Sequence, residues 1–286
     1  MSEQINIQWF PGHMAKTRRQ IKESMSLIDC VAEITDARVP ESSRNPELDE
    51  LCAGRPRIIL LNKADLADEQ VTALWVQHYQ ARGIRAIPAD CKSGKGVNRF
   101  VPVVREVLRE KLERFAEKGM AGRTLRVMVA GIPNSGKSTF INRLAGEKRA
   151  KAENRPGVTK GRQWITVGGI ELLDTPGILW PKFDDPAVGE KLAFIGSVRD
   201  DILDTEHLAA RLLETLSHDY AQAVTARYKL TELPGDGFEA LGMVAKKRGL
   251  LISGGEPDTL RGARLILDEY RGGKLGRITL ERPSAE

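Results

Sequence analysis

The sequence predicts an α/β protein: a doubly wound, mostly parallel sheet within residues 1–205, then a small all-helical domain over 206–286. Three observations predict it. Short β-rich apolar runs alternate with helical stretches between residues 14 and 205. One of these runs opens into a glycine-rich loop. Beyond about 205 the strand runs stop, and apolar residues recur at helical spacing.

Taken in order, a basic amphipathic stretch over 14–28 leads into a strand over 30–36. The apolar run 57–61 is a second strand ending at Asn62, and 84–88 is a weaker third. A helix over 97–117 carries Phe100, Val103, Val104, Val107, Leu108 and Leu112 on one side. The run 125–130 is the strand that feeds the glycine-rich loop. Residues 165–167 and 170–173 flank Gly168-Gly169, a hairpin signal. In the second part, Leu208, Leu212, Leu216, Tyr220 and Val224 mark one helical stripe. Phe238, Leu241, Val244 and Ala245 mark another, and Leu260, Ala263, Leu267 and Tyr270 a third.

With 286 residues, the chain has length for one large domain or two. No apolar run approaches the ~20 residues of a membrane span, and the amino terminus lacks a secretory pattern. Cys30, Cys52 and Cys91 form no C-x-x-C pair, which fits a reducing cytosol and argues against a disulfide framework or zinc site. A cytoplasmic monomer without a membrane partner is expected. The net charge of +5 is mild, but its placement is suggestive. Lys16, Arg18, Arg19 and Lys22 cluster near one end. Lys246-Lys247-Arg248 with Arg261, Arg264, Arg271, Lys274 and Arg277 load the other, a footprint suited to RNA.

The chemistry lies in three motifs. Gly131-Ile132-Pro133-Asn134-Ser135-Gly136-Lys137-Ser138 is a P-loop, G-x-x-x-x-G-K-S, and Thr139 follows it. Its backbone N–H groups and helix N-terminus suit phosphate, Lys137 suits the β- and γ-phosphates, and Ser138 suits Mg²⁺. Asp174-Thr175-Pro176-Gly177 is a D-x-x-G: Asp174 supports the same ion, and the Gly177 N–H senses the γ-phosphate. Asn62-Lys63-Ala64-Asp65 is an N-K-x-D, in which Asp65 accepts from guanine N1–H and N2–H₂. Adenine offers no such donor pair and leaves the carboxylate unpaired, which makes an ATPase the weakest reading. Asn62 braces the loop and the Lys63 stem packs over the base. Asp90-Cys91-Lys92, one βα unit later, stands where S-A-K is expected, with a backbone N–H for guanine O6. Asp for Ser is the departure there. The N-K-x-D precedes the P-loop, so the order predicts a circularly permuted P-loop GTPase domain that takes GTP and Mg²⁺. Thr159, in Pro156-Gly157-Val158-Thr159, is the switch-I candidate for the Mg²⁺.

Hydrolysis lacks an obvious water-orienting group. Small GTPases carry Gln after the D-x-x-G glycine, and here that position is Ile178, followed by Leu179 and Trp180. The helix before the strand 30–36 starts at the carboxyl edge of the sheet, which brings His13 of Trp9-Phe10-Pro11-Gly12-His13-Met14 towards the γ-phosphate. Two readings of His13 stand at this point: a catalytic group, or a helix cap beside a terminus pinned by Trp9 and Phe10.

These motifs, with the ending Gly272-Gly273-Lys274-Leu275-Gly276-Arg277, together resemble the bacterial ribosome biogenesis GTPase A (YlqF) family. The resemblance implies an Era-like GTPase acting late in large ribosomal subunit assembly, with a helical domain on ribosomal RNA. It implies a hydrophobic residue in place of Gln, matching Ile178, and an amino-terminal histidine in its stead, matching His13. It also implies K⁺ beside the phosphates at Asn134. Two alternatives stay open: a GTP-switched RNA-binding module with little hydrolysis, and a GTPase of the tRNA-modification type, for which no C-terminal cysteine chemistry is present.

Overall fold

The computed structural model describes residues 12–120, 122–146, 164–180, 183–198 and 203–284, with side chains from residue 16. Six strands form one sheet: β1 (Cys30–Asp36), β2 (Arg57–Asn62), β3 (Arg85–Pro88), β4 (Leu125–Ala130), β5 (Trp164–Val167) and β6 (Ile170–Asp174). Their order is β3-β2-β1-β4-β6-β5, parallel throughout except for the β5–β6 hairpin. The runs read as continuous apolar stretches because both faces are covered. All of β1 is buried, and its side chains alternate between two layers. Cys30, Ala32 and Ile34 join Phe100 and Val104 of α4 (Phe100–Val107) and Phe140 of α6 (Lys137–Ala145). Val31 joins Ile21 of α1 (Gly12–Ser24) and Leu48 of α2 (Glu47–Leu51) on the other side. Ile59 and Leu61 of β2 pack with Val71, Trp75 and Tyr79 of α3 (Glu69–Ala81).

The stretch 97–117 is not one helix. A break at Leu108 (φ −102°, ψ 15°) separates α4 from α5 (Arg109–Glu117). The first carboxyl-terminal stripe divides likewise at Tyr220, into α8 (Thr205–Asp219) and α9 (Ala221–Tyr228). The Tyr220 hydroxyl donates to the Thr279 carbonyl at 3.1 Å, pinning the break. Two more helices follow, α10 (Gly237–Lys247) and α11 (Thr259–Arg271). Phe238 and Leu260 are exposed despite their helical spacing, each lying in the first turn of its helix.

The chain divides into two compact units at 181/182 rather than at 205. The reason is α7 (Pro186–Phe194), which packs on α8 and α11. The last described residues, 281–284, count with the first unit. There Glu281 accepts from the Glu41 N–H at 2.8 Å and takes the Trp75 indole N–H on its carbonyl at 3.0 Å. Among the described residues, no helix is long and apolar enough to cross a membrane.

Candidate functional site

β4 runs directly into the P-loop. Gly131 has φ 150° and Gly136 φ 96°, and a Cβ on either would strike the Ile34 carbonyl or the Asn62 amide respectively. Asn134 holds φ 59°, which its short amide side chain tolerates better than most. α6 starts at Lys137, so its N-terminal N–H groups face the loop, with Ser138 and Thr139 exposed in the first turn. Lys137 Nζ donates to the carbonyls of Gly131 (3.1 Å) and Ile132 (2.9 Å). Burial pushes its pKa down to about 8, against the opposing pull of Asp174.

Asp174 ends β6 at the same edge. Burial pushes its pKa up, with Lys137 countering. Its Oδ1 is buried and meets no hydrogen-bond donor among the described residues. That oxygen and the Ser138 hydroxyl are hard donors of the kind Mg²⁺ takes, so the residues fit the ion. Gly177 lies tight against the P-loop: a Cβ there would stand 2.9 Å from Pro133 Cα and 3.1 Å from Lys137 Nζ. Ile178 donates its N–H to the Gly131 carbonyl at 3.2 Å, and its side chain is buried with Ile21, Val31, Trp164 and Leu173. It cannot orient water.

Asn62 ends β2 and joins three loops. Its Nδ2 donates to the Ser135 carbonyl at 2.7 Å, and its Oδ1 accepts from the Cys91 N–H at 3.1 Å. Lys63 stands at φ 58°. The Ala64 N–H donates to the Ala89 carbonyl at 3.1 Å, and Asp65 is exposed beyond it. The Asp90 carboxylate accepts from the N–H of Lys92 (2.8 Å) and of Ser93 (3.2 Å). The N–H groups of Cys91, Lys92 and Ser93 are therefore all committed, the first to Asn62 and the other two to one oxygen of Asp90. Guanine O6 recognition by this loop requires one of them to change partner. Arg143 of α6 donates to the carbonyls of Cys91 and Lys92, tying the loop to the P-loop helix.

Two residues of this edge were not singled out by motif. Asp36 closes β1 fully buried, and Arg38 grips it with Nε to Oδ1 at 2.9 Å and Nη2 to Oδ2 at 2.8 Å. Despite burial, Arg38 and Lys63 hold its carboxyl far below the usual range. The available signal was an acid ending an apolar strand run, followed at once by Ala37-Arg38. His13 is the second residue of α1, but its side chain lies outside the described residues, as do Trp9, Phe10 and Thr159.

A P-loop after β4, a carboxylate ending β6 and an N-K-x-D ending β2, on one edge of a parallel sheet, define a P-loop GTPase domain. Comparison with known proteins narrows the class. The family model described as 50S ribosome-binding GTPase matches residues 126–235. Ribosome biogenesis GTPase A of Priestia megaterium is 49% identical over 98% of each chain. Mitochondrial ribosome-associated GTPase 1 of Bos taurus is 33% identical over 96% of this chain and 88% of its own. The crystal structure of GNP-bound YlqF from T. maritima superposes with a TM-score of 0.67 at 32% identity, covering 95% of this chain and all of the other. The chain belongs to the ribosome biogenesis GTPase A family.

Proposed function

We propose that this protein hydrolyses GTP as a late factor in assembly of the large ribosomal subunit. The observation that carries the nucleotide part is Asn62, whose one amide fastens the N-K-x-D loop to both the P-loop and the 90–95 loop. Phosphate and base subsites are thereby built as a unit. The P-loop N–H groups, Asn134 to Thr139 among them, and Lys137 take the phosphates, while Asp65 reads guanine. Ser138, Asp174 and Thr159 would hold Mg²⁺, which would neutralise charge on the phosphate oxygens. Asn134 would hold K⁺, which would add positive charge at the phosphates. The Gly177 N–H reports the γ-phosphate to the residues that follow.

The work of the site is positioning and charge stabilisation, and the attacking water needs a polar group that Ile178 does not supply. His13 takes that role, completed when the protein docks on its substrate particle. The ribosomal part is supported by family membership and by the names its relatives bear. The partner is the immature large subunit and its rRNA, contacted by the cationic helical unit that runs from 182 to 280, with the protein a cytoplasmic monomer. The competing reading, a GTP-gated RNA-binding module with little turnover, draws on the burial of Ile178. GTP hydrolysis in K⁺ buffer with and without large subunits separates them. A low basal rate that rises at least about tenfold with subunits, and falls with His13→Ala, supports the assembly GTPase. No stimulation, with GTP bound normally, sinks it in favour of the module.

A further inference from the structure

β1 separates the P-loop strand from the strand that carries N-K-x-D, and Asp36 is its last residue. The fully buried carboxylate is shared by two cations. Arg38 holds both oxygens, and its backbone N–H also reaches Oδ1 at 3.1 Å. Lys63 Nζ lies 2.9 Å from Oδ2. Removing Asp36 would leave Arg38 buried and uncompensated, whereas removing the partly exposed Lys63 leaves the Asp36–Arg38 pair in place. The segment carrying Arg38 is itself fastened: the Asp36 N–H donates to Ser43 Oγ at 2.9 Å, and that hydroxyl donates to the Val39 carbonyl at 2.6 Å. Lys63, meanwhile, sits at φ 58°, a left-handed conformation that a non-glycine side chain disfavours. Strained residues persist where their surroundings over-determine them. Here the Asp36 ion pair holds the side chain, while Asn62 and the Ala64–Ala89 hydrogen bond hold the backbone on either side.

We propose that Asp36, oriented by Arg38, is a positioning residue for guanine-nucleotide binding. By anchoring the Lys63 ammonium it fixes the direction of the Lys63 stem and the left-handed turn at residue 63. Asp65 follows that turn by two residues, so the anchor sets where the base-reading carboxylate stands. Asp36 does not touch the nucleotide; it acts through Lys63. The inference rests on reading the Asn62–Asp65 loop as the guanine subsite.

The test is the dissociation rate of a fluorescent GDP from the full-length chain with Mg²⁺, chased with GTP or ATP. Asp36→Asn, Lys63→Met and the double variant are compared with the wild type. Each single substitution is expected to speed release about tenfold, with the double variant no faster than Lys63→Met, since Asp36 then has nothing to act through. Additive losses overturn the proposal, because they assign Asp36 a general structural role. Lys63→Met keeps an apolar stem at a partly exposed position and removes only the ammonium, so it remains informative even where Asp36→Asn fails to fold. Unchanged release from Lys63→Met overturns the proposal on its own. A wild-type chain that releases GDP equally to GTP and ATP refutes the guanine reading itself, and that result is visible before any variant is made.

Discussion

Lys137 carries its proton where burial disfavours it. Its pKa is pushed down to about 8 from 10.5, while bound phosphates favour the charged form. In the nucleotide-free protein the ammonium is intact below pH 8 and is shed as pH rises through it. The unfolded chain keeps that proton up to about 10.5, so stability of the free protein rises with pH between these values. Binding runs the other way. GDP must restore the proton, so affinity falls above pH 8, by about tenfold at pH 9. Calorimetry in buffers of different ionisation enthalpy should show proton uptake at pH 9 and little at pH 7; uptake equal at both is the contrary result. At this scale the motif spacing made Gly131, Gly136, Lys137 and Asp174 legible. Asp36 and Arg38 were not, because a buried ion cluster has no periodicity and becomes visible only when the pairing of β1 with β2 brings Lys63 onto Asp36.

Among elements, apolar runs were the readable part. The runs at 30–36 and 125–130 coincide with β1 and β4, since a strand buried on both faces has no alternation to blur its ends. Breaks were hidden. At Leu108 and Tyr220 the apolar spacing carries on through a backbone that is no longer helical. Helix starts were available but unused: Asp68, Asp185, Asp204, Asp236 and Asp258 cap α3, α7, α8, α10 and α11, each accepting a backbone N–H of the first turn. The loop after β3 is where sequence raised a doubt that geometry turns into a measurement. Asp90 Oδ1 accepts two N–H groups with a charged oxygen, where serine would offer only a neutral one. Asp90→Ser should weaken both bonds and let one N–H turn to guanine O6. One added hydrogen bond is worth about 0.5–1.5 kcal/mol, so GDP affinity should rise roughly two- to tenfold. Amide exchange at Lys92 and Ser93 in the free protein should quicken. Slower exchange with weaker binding would mean that the aspartate loop is already the binding form.

Over the whole chain, the sequence shows a basic cluster near each end, and packing divides the carboxyl-terminal one. Arg271 donates to the carbonyls of Phe194 (3.0 Å) and Ala193 (2.8 Å), closing the end of α7. Arg248 pairs with Glu269 at 3.3 Å and lies over the Tyr228 ring at 5.1 Å. These two hold helices together, and their substitution should act through stability. Lys246 and Lys247, exposed in the last turn of α10, are placed instead to meet an external polyanion. The difference is measurable as salt dependence. Each phosphate contact contributes about 0.7–0.9 to the slope of log affinity against log salt. Lys246→Gln with Lys247→Gln should therefore lower the slope for large-subunit binding by about 1.4–1.8, leaving GDP affinity and thermal unfolding unchanged. Arg248→Gln should lower the unfolding temperature, because Glu269 is buried and Arg227 alone would then neutralise it. A slope unmoved by the two lysines would place the RNA contact elsewhere on the chain, with the cluster over Lys16, Arg18, Arg19 and Lys22 the next to neutralise.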